Sequence, residues 1–354
     1  MDTEDLRSRV HRVVEEFLSC EAGVLGAVGS ECAPLHDYVA SLMGGGKRLR
    51  PAFCYWGWRA AGAPDGEAIV RAAASLEFFQ AAALIHDDVM DDSDTRRGAP
   101  AVHRRFAALH GRRGWTGDGQ RFGLAGAVLA GDLCLVWSDQ LLTSSGLDHA
   151  TLGRGRPVFD RMRTELMGGQ YLDMLEQAVG AGRPDGALER ARRVIRYKSA
   201  KYTIEQPLLL GGRLAGADDD VLEGYSAFGL PLGEAFQLRD DVLGVFGDPA
   251  ETGKPAGNDL REGKRTVLVA KALEAATPGQ AAVVARLLGD PTLDGRGVEA
   301  LREVFVETGA LAAVERLVGE LVEQAQAALA RADVAERARP VLEALIVAAT
   351  SRAS

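Results

Sequence analysis

The chain has 354 residues, 47% of them hydrophobic and 26% charged, which is enough to bury a large core as one big domain or two ordinary ones. A net charge of −9 disfavours nonspecific nucleic-acid binding, and the few aromatics are not interleaved with basic runs as a base-stacking platform requires. Four scattered cysteines (Cys20, Cys32, Cys54, Cys134) argue against a zinc site or a disulfide framework and fit a reducing compartment, so a cytoplasmic location is expected.

The N-terminus, "MDTEDLRSRVHRVVEEFLSC", is charged from its second residue and lacks the apolar core of a secretory signal, so no export is implied. Helical periodicity runs through residues 5–18, 68–88, 126–142, 186–210 and 312–332, while alternating β-branched runs are almost absent. The expected class is all-α. Residues 122–137 carry Asp132 in their middle and fall short of the ~20 apolar residues of a membrane span, so no transmembrane helix is expected. Gly, Pro and Asp clusters at 62–67, 110–120, 181–186, 247–259 and 289–297 mark breaks between helices. With no long disordered linker and no 20–50-residue repeat, the expectation is one domain over residues 1–354.

Residues 84–98, "LIHDDVMDDSDTRRG", place Asp87, Asp88, Asp91, Asp92 and Asp94 directly behind an apolar stretch. On a helix Asp87 and Asp91 share one face and can share bridging ions, with Asp88 to the side. An EF-hand fails here, because the sixth and twelfth positions counted from Asp87 hold Asp92 and Gly98 instead of Gly and Glu. A solvated acidic helix end fits poorly with "AAALIH" just before it. A helix end neutralised by Arg96 and Arg97 stays open. A second carboxylate pair, Asp240 and Asp241, ends the apolar stretch 233–248. Two such walls facing each other would hold hard cations. Magnesium suits them, since it binds oxygen at about 2.0 to 2.1 Å, keeps several waters and is readily shared with a substrate diphosphate.

Only six of the 41 basic residues are lysines (Lys47, Lys198, Lys201, Lys254, Lys264, Lys271), and three of these follow glycine. A compact point charge there suits a phosphate oxygen, although chance drift explains the pattern equally well. With Arg48 and Arg50 in "GGGKRLRP", and with Arg96 and Arg97, they form a phosphate-directed set. "GGGKR" is not a nucleotide P-loop: GxxxxGK[ST] is unmet and no strand precedes it.

Seven motifs in order, "GGGKRLRP", "LIHDDVMDDSDTRRGAPAVH", "AGDL", "GGQYLDM", "YKSAKYT", "FQLRDDVLGVFGD" and "TGKPAGNDLREGKRT", resemble the trans-isoprenyl diphosphate synthase family, the head-to-tail polyprenyl synthetases. The resemblance implies antiparallel helices around a deep central cavity, a homodimer and three magnesium ions. It implies that Asp87 and Asp91 hold two of these ions and Asp240 the third, with Asp88 and Asp241 in support. Arg96, Lys198 and Lys254 resemble residues that grip the allylic diphosphate; Lys47, Arg50, Gln80 and Arg97 resemble the isopentenyl diphosphate pocket, and Lys264 joins the substrate-directed set. Gln237 and Ser199 match positions facing a nascent carbocation, and Gln170 and Asp173 are expected behind the metals. No nucleophile or histidine base is needed: ionisation of the allylic C–O bond puts charge on the leaving diphosphate, where metals and fixed cations stabilise it. His86 and His103 are read as hydrogen-bonded structural histidines.

The growing hydrocarbon is expected to run along the buried helix toward its N-terminal end. Ala83 and Ala82 are small, and the first bulk is Phe79, one turn of about 5.4 Å deeper. A floor at Phe79 points to geranylgeranyl diphosphate, with farnesyl or longer products as alternatives. Two positions depart from the family pattern. Gly244 stands where a third aspartate of the second motif is common, and Ser199 replaces a threonine. Competing readings are a class I terpene cyclase, a noncatalytic partner subunit, and an all-α scaffold indifferent to magnesium diphosphates.

Overall fold

The structure is a computed structural model that describes residues 5–180, 183, 185–247 and 257–350. Helices dominate it: α1 (Leu6–Val28), α2 (Ala33–Met43), α3 (Leu49–Ala60), α4 (Glu67–Met90), α5 (Val102–Arg113), α6 (Gly119–Thr143), α7 (His149–Val179), α8 (Ala187–Val194), α9 (Gln206–Ala215) and α10 (Asp219–Phe246), with further helices from Asn258 onward. Asp118, Asp148 and Asp218 start α6, α7 and α10 by accepting hydrogen bonds from the free backbone N–H groups of the first turn. The whole of α7 and the first half of α10 were not read from the sequence. Their apolar positions are interrupted by glycines and arginines, and each contains an internal proline.

Helix α4 is apolar on nearly every side and is correspondingly enclosed, packing along α6 on one flank and on α1 and α3 on others. Both α4 and α6 are long and apolar enough to cross a membrane by length and composition alone, a test that a buried core helix also passes. Helix α4 is a core helix, whereas α6 leaves Val128, Leu129 and Val136 exposed. Two hydrophobic clusters share α10: Leu222, Tyr225, Phe228 and Leu232 feed the first, and Leu238, Val242 and Val245 the second.

Residues 186–210, expected as one helix, are three segments. Between α8 and α9 lies an eleven-residue π-helix, Ile195–Glu205, that carries "YKSAKYT". Wider π turns occur mostly as short insertions at functional sites. This one is gripped by backbone on both sides. A Cβ on Gly169 of α7 would lie 2.3 Å from the Lys198 nitrogen, and one on Gly233 of α10 would lie 2.5 Å from the Ala200 carbonyl oxygen.

The one small sheet among the described residues is a hairpin, Thr95–Arg96 against Ala99–Pro100. Arg97 and Gly98 form its turn with φ of +54° and +74°, the doubly left-handed geometry favoured in two-residue hairpins. The turn sets Arg96 and Arg97 on the rim of a cavity.

Candidate active site

That cavity, of about 830 Å³, is lined by α3, α4, α7, the π-helix, α10 and the segment after Gly257. Asp87 from the first acidic motif and Asp240 and Asp241 from the second all line it, so the two carboxylate walls share one hollow. Of the other expected site residues, Lys47, Arg50, Gln80, Ala83, Arg96, Arg97, Gln170, Asp173, Lys198, Ser199, Gln237 and Lys264 also reach it. Lys254 lies outside the described residues.

Asp87 is the hub of the first wall. Lys198 Nζ sits 3.1 Å from its Oδ1 and 2.5 Å from Asp173 Oδ2, while Gln170 Nε2 donates to Asp87 Oδ1 at 3.1 Å. Burial alone would raise the Asp87 carboxyl, but Lys198, Lys264 and Arg96 outweigh it and hold the group below the usual carboxylate range. The same attractions, from Asp87 and Asp173, hold the Lys198 ammonium above its ordinary value despite burial. Lys264 links the walls: its Nζ is 2.9 Å from Glu262, 3.2 Å from Asp259 and 3.9 Å from Asp91.

Asp91 behaves differently. Burial, helped by the charge of Asp87, pushes its carboxyl up to about 7, and its buried Oδ2 accepts no hydrogen bond from any described residue. A buried carboxylate oxygen that accepts no hydrogen bond, with only the distant Lys264 ammonium and a second carboxylate near it, is a site that a cation would relieve. Among the described residues no three or more Asp, Glu, His or Cys side chains gather into a ready-made metal cage. Carboxylates from two facing walls suit magnesium, which takes one or two carboxylates and fills the remaining positions with water and phosphate oxygens. Asp87 and Asp240 line the cavity and are the residues that would hold it, whereas Asp91, also expected as a ligand, does not line it.

Several expectations need correction. Asp88 is buried and does not line the cavity; its carboxylate is paired with Arg96, whose Nε donates to it at 2.8 Å. Asp88 orients Arg96 instead of facing a ligand. Arg96 is thereby held as a fixed cation on the cavity wall, so neutralisation by arginine and a diphosphate site coexist. Arg48 lines the cavity but is mostly buried, its guanidinium committed to Glu77 and the Met43 carbonyl. Phe79 and Ala82 are fully buried and face away from the cavity. Phe79 packs edge-on against Tyr202, centroids 5.4 Å apart, and Tyr202 forms the wall in its place. His103 is buried with no hydrogen-bond partner among the described residues, contrary to the expectation. His86 lies against α6, its Nε2 3.4 Å from the Val128 carbonyl oxygen; any side chain at Gly131 would collide with the ring, which accounts for the glycine of "AGDL".

Tyr202, Thr203, Asp259 and Glu262 were not singled out by sequence. Arg50 stacks on the Tyr202 ring at 4.2 Å and donates to Thr203 Oγ1 at 2.8 Å, while the Tyr202 hydroxyl donates to Gln80. The i, i+1, i+4, i+5 spacing of Lys198, Ser199, Tyr202 and Thr203 in "YKSAKYT" puts them on one helical face, but which cavity that face meets is not a local property.

A family model described as polyprenyl synthetase matches residues 33–305. The fold superposes on a geranylgeranyl pyrophosphate synthase from Corynebacterium glutamicum complexed with isoprenyl diphosphate and magnesium, with TM-score 0.94, 40% identity and full coverage of both chains. Among curated relatives, a geranylgeranyl diphosphate synthase of Saccharolobus solfataricus is 33% identical over 78% of this chain and 76% of its own. An octaprenyl diphosphate synthase of Escherichia coli is 31% identical over 90% of both. With helices enclosing a cavity between two aspartate walls, the chain belongs to the polyprenyl synthetase family. It is an enzyme of the trans-prenyltransferase class.

Proposed function

We propose that the cavity joins isopentenyl diphosphate to an allylic diphosphate in a magnesium-dependent reaction, with geranylgeranyl diphosphate as the product and diphosphate released. The observation that carries this reading is the common hollow lined by Asp87, Asp240 and Asp241 together with Lys198, Arg96 and Lys264. Magnesium, expected as three ions, would supply Lewis-acid stabilisation of the leaving diphosphate. The chain's own part is electrostatic. Lys198, Arg96 and Lys264 are already fixed by carboxylates, so they meet developing negative charge without reorganising. Arg50, held by Tyr202 and Thr203, with Lys47 and Arg97 nearby, forms the cationic pocket suited to the second diphosphate. Ser199 and Gln237 face the space between, where oxygen dipoles would stabilise a carbocation. No side-chain base is required, because the departing diphosphate can take the proton.

Ala83, Gln80 and Leu84 form the α4 side of the cavity, with Tyr202 backed by Phe79. The small Ala83 on this side, with the Tyr202 ring closing the wall, supports a twenty-carbon product. The apolar outer face of α6, with Met167 and Tyr171 of α7 also exposed, supports a homodimer. Helix α10, shared by both hydrophobic clusters, supports one domain, and four free cysteines support a reducing, cytoplasmic setting.

Purified protein incubated with magnesium, labelled isopentenyl diphosphate and each allylic primer should yield a C20 diphosphate. Asp87→Ala and Asp240→Ala should each abolish turnover while leaving the helical circular dichroism unchanged. Undiminished turnover in either variant removes that wall from the reaction.

A further inference from the structure

The second acidic motif reads Asp240-Asp241-Val242-Leu243-Gly244, so α10 presents two carboxylates and then, one turn on, a glycine. The space beside that glycine is filled. A Cβ built on Gly244 would lie 2.0 Å from Oδ2 of Asp259 and 2.9 Å from its carboxyl carbon. Asp259 belongs to a different element, the short helix Asn258–Arg261, and its carboxylate reaches across to α10. Gly244, Asp240, Asp241 and Asp259 all line the cavity.

We propose that Asp259 is the missing third carboxylate of the second wall, delivered across the fold into the gap that Gly244 keeps open, where it positions the cation and its water shell against Asp240. Three observations support this. First, the overlap at Gly244 involves the functional end of Asp259 and not its stem, so the glycine makes room for a carboxylate in particular. Second, Lys264 Nζ lies 3.2 Å from Asp259 Oδ1, which fixes the carboxylate with its other oxygen toward Gly244. Third, Lys264 also approaches Asp91, so the group that orients Asp259 is tied to the first wall as well. Gly244 and Asp259 thus form one unit: a side chain at 244 must push the Asp259 carboxylate out of place. The inference rests on the magnesium–diphosphate reading of the cavity and adds a positioning residue to it.

The test follows the thermal unfolding midpoint of the full chain against magnesium at fixed inorganic pyrophosphate, since a ligand bound only to the native state raises stability. The variants are Asp259→Asn, Asp259→Ala, Gly244→Asp and the exchange Gly244→Asp/Asp259→Ala. Loss of a carboxylate supporting a metal typically costs 10- to 100-fold in metal affinity. Asp259→Asn and Asp259→Ala are expected to raise half-saturating magnesium about tenfold with the metal-free midpoint little changed. Gly244→Asp should do the same by displacing Asp259, and the exchange should recover most of the loss. In turnover the magnesium requirement should rise more than the KM for isopentenyl diphosphate. Unchanged half-saturation in Asp259→Asn, or an exchange variant no better than Asp259→Ala with its metal-free midpoint intact, overturns the proposal. If the unaltered protein shows no magnesium–pyrophosphate stabilisation, the functional reading itself is what fails.

Discussion

Arg48 sits at the start of α3 with φ of +55°, a conformation uncommon for a side-chain-bearing residue, and its guanidinium is buried on Glu77. Removing one partner of a buried ion pair strands the other, at a cost of about 3 to 5 kcal/mol. Glu77→Gln is therefore expected to lower the stability by a few kcal/mol in chemical denaturation, and a change below about 1 kcal/mol would show that the pair is not what holds this corner. Asp65 offers a pH-dependent contrast. Its partial burial works to raise the carboxyl, but hydrogen bonds from the Tyr55 hydroxyl (2.8 Å) and Arg9 (3.0 Å) outweigh that and hold it below its ordinary value. A carboxyl lowered in the folded state adds stability above its unfolded pKa of about 4, and that contribution is lost as pH falls through the lower folded value. Because Asp65 is partly exposed, the contribution should be about 1 kcal/mol or less. Urea denaturation of Asp65→Asn should show a deficit at pH 7 that closes as the pH falls below the ordinary carboxylate range; a deficit persisting in strong acid would point to packing instead of charge.

At the scale of the element, the π-helix determines what the site can be. Lys198, Ser199, Tyr202 and Thr203, spaced i, i+1, i+4 and i+5, share one face of this segment and all reach the cavity. This geometry depends on glycines of neighbouring helices, because Gly169 and Gly233 let foreign backbone approach where no side chain fits. Gly169→Ala would set a Cβ 2.3 Å from the Lys198 nitrogen, and backbone cannot swing aside as a side chain can. Forced overpacking of this kind typically costs about 1 to 3 kcal/mol. The variant should lose stability of that order and, because Lys198 moves with its backbone, lose activity more than its residual folded fraction explains. Full activity per folded molecule would mean that the segment tolerates displacement. The motifs "GGQYLDM" and "YKSAKYT" were legible as motifs, yet their dependence on each other was not. A close approach between residues about thirty positions apart has no local signature.

At the scale of the whole molecule, α6 is the telling helix. Its inner face packs against α4, and its outer face leaves Val128, Leu129 and Val136 exposed, with Met167 and Tyr171 of α7 also at the surface. Exposed apolar residues gathered on one helix face, as on α6, suit an interaction site. If that site pairs two copies, Val128→Glu/Val136→Glu should sediment as a monomer with its helical content retained, and an unchanged dimer would place the interface elsewhere. The exposed outer face of α6 also explains why the helix passes for a membrane span by composition. Helix α4 passes the same test for the opposite reason, being wrapped in protein.

The all-α class, the two aspartate walls and the cationic set around them were readable from sequence, because helical periodicity and the placement of carboxylates at the ends of apolar runs are local properties. Tertiary structure alone decided which charges face the cavity. It sent Asp88 and Arg48 to buried partners, turned Phe79 behind Tyr202, and brought Asp259 to the gap at Gly244. The physical reason is that a buried charge goes to whichever partner lies within a few ångströms, and that distance is set by how helices cross, which no short stretch of sequence records.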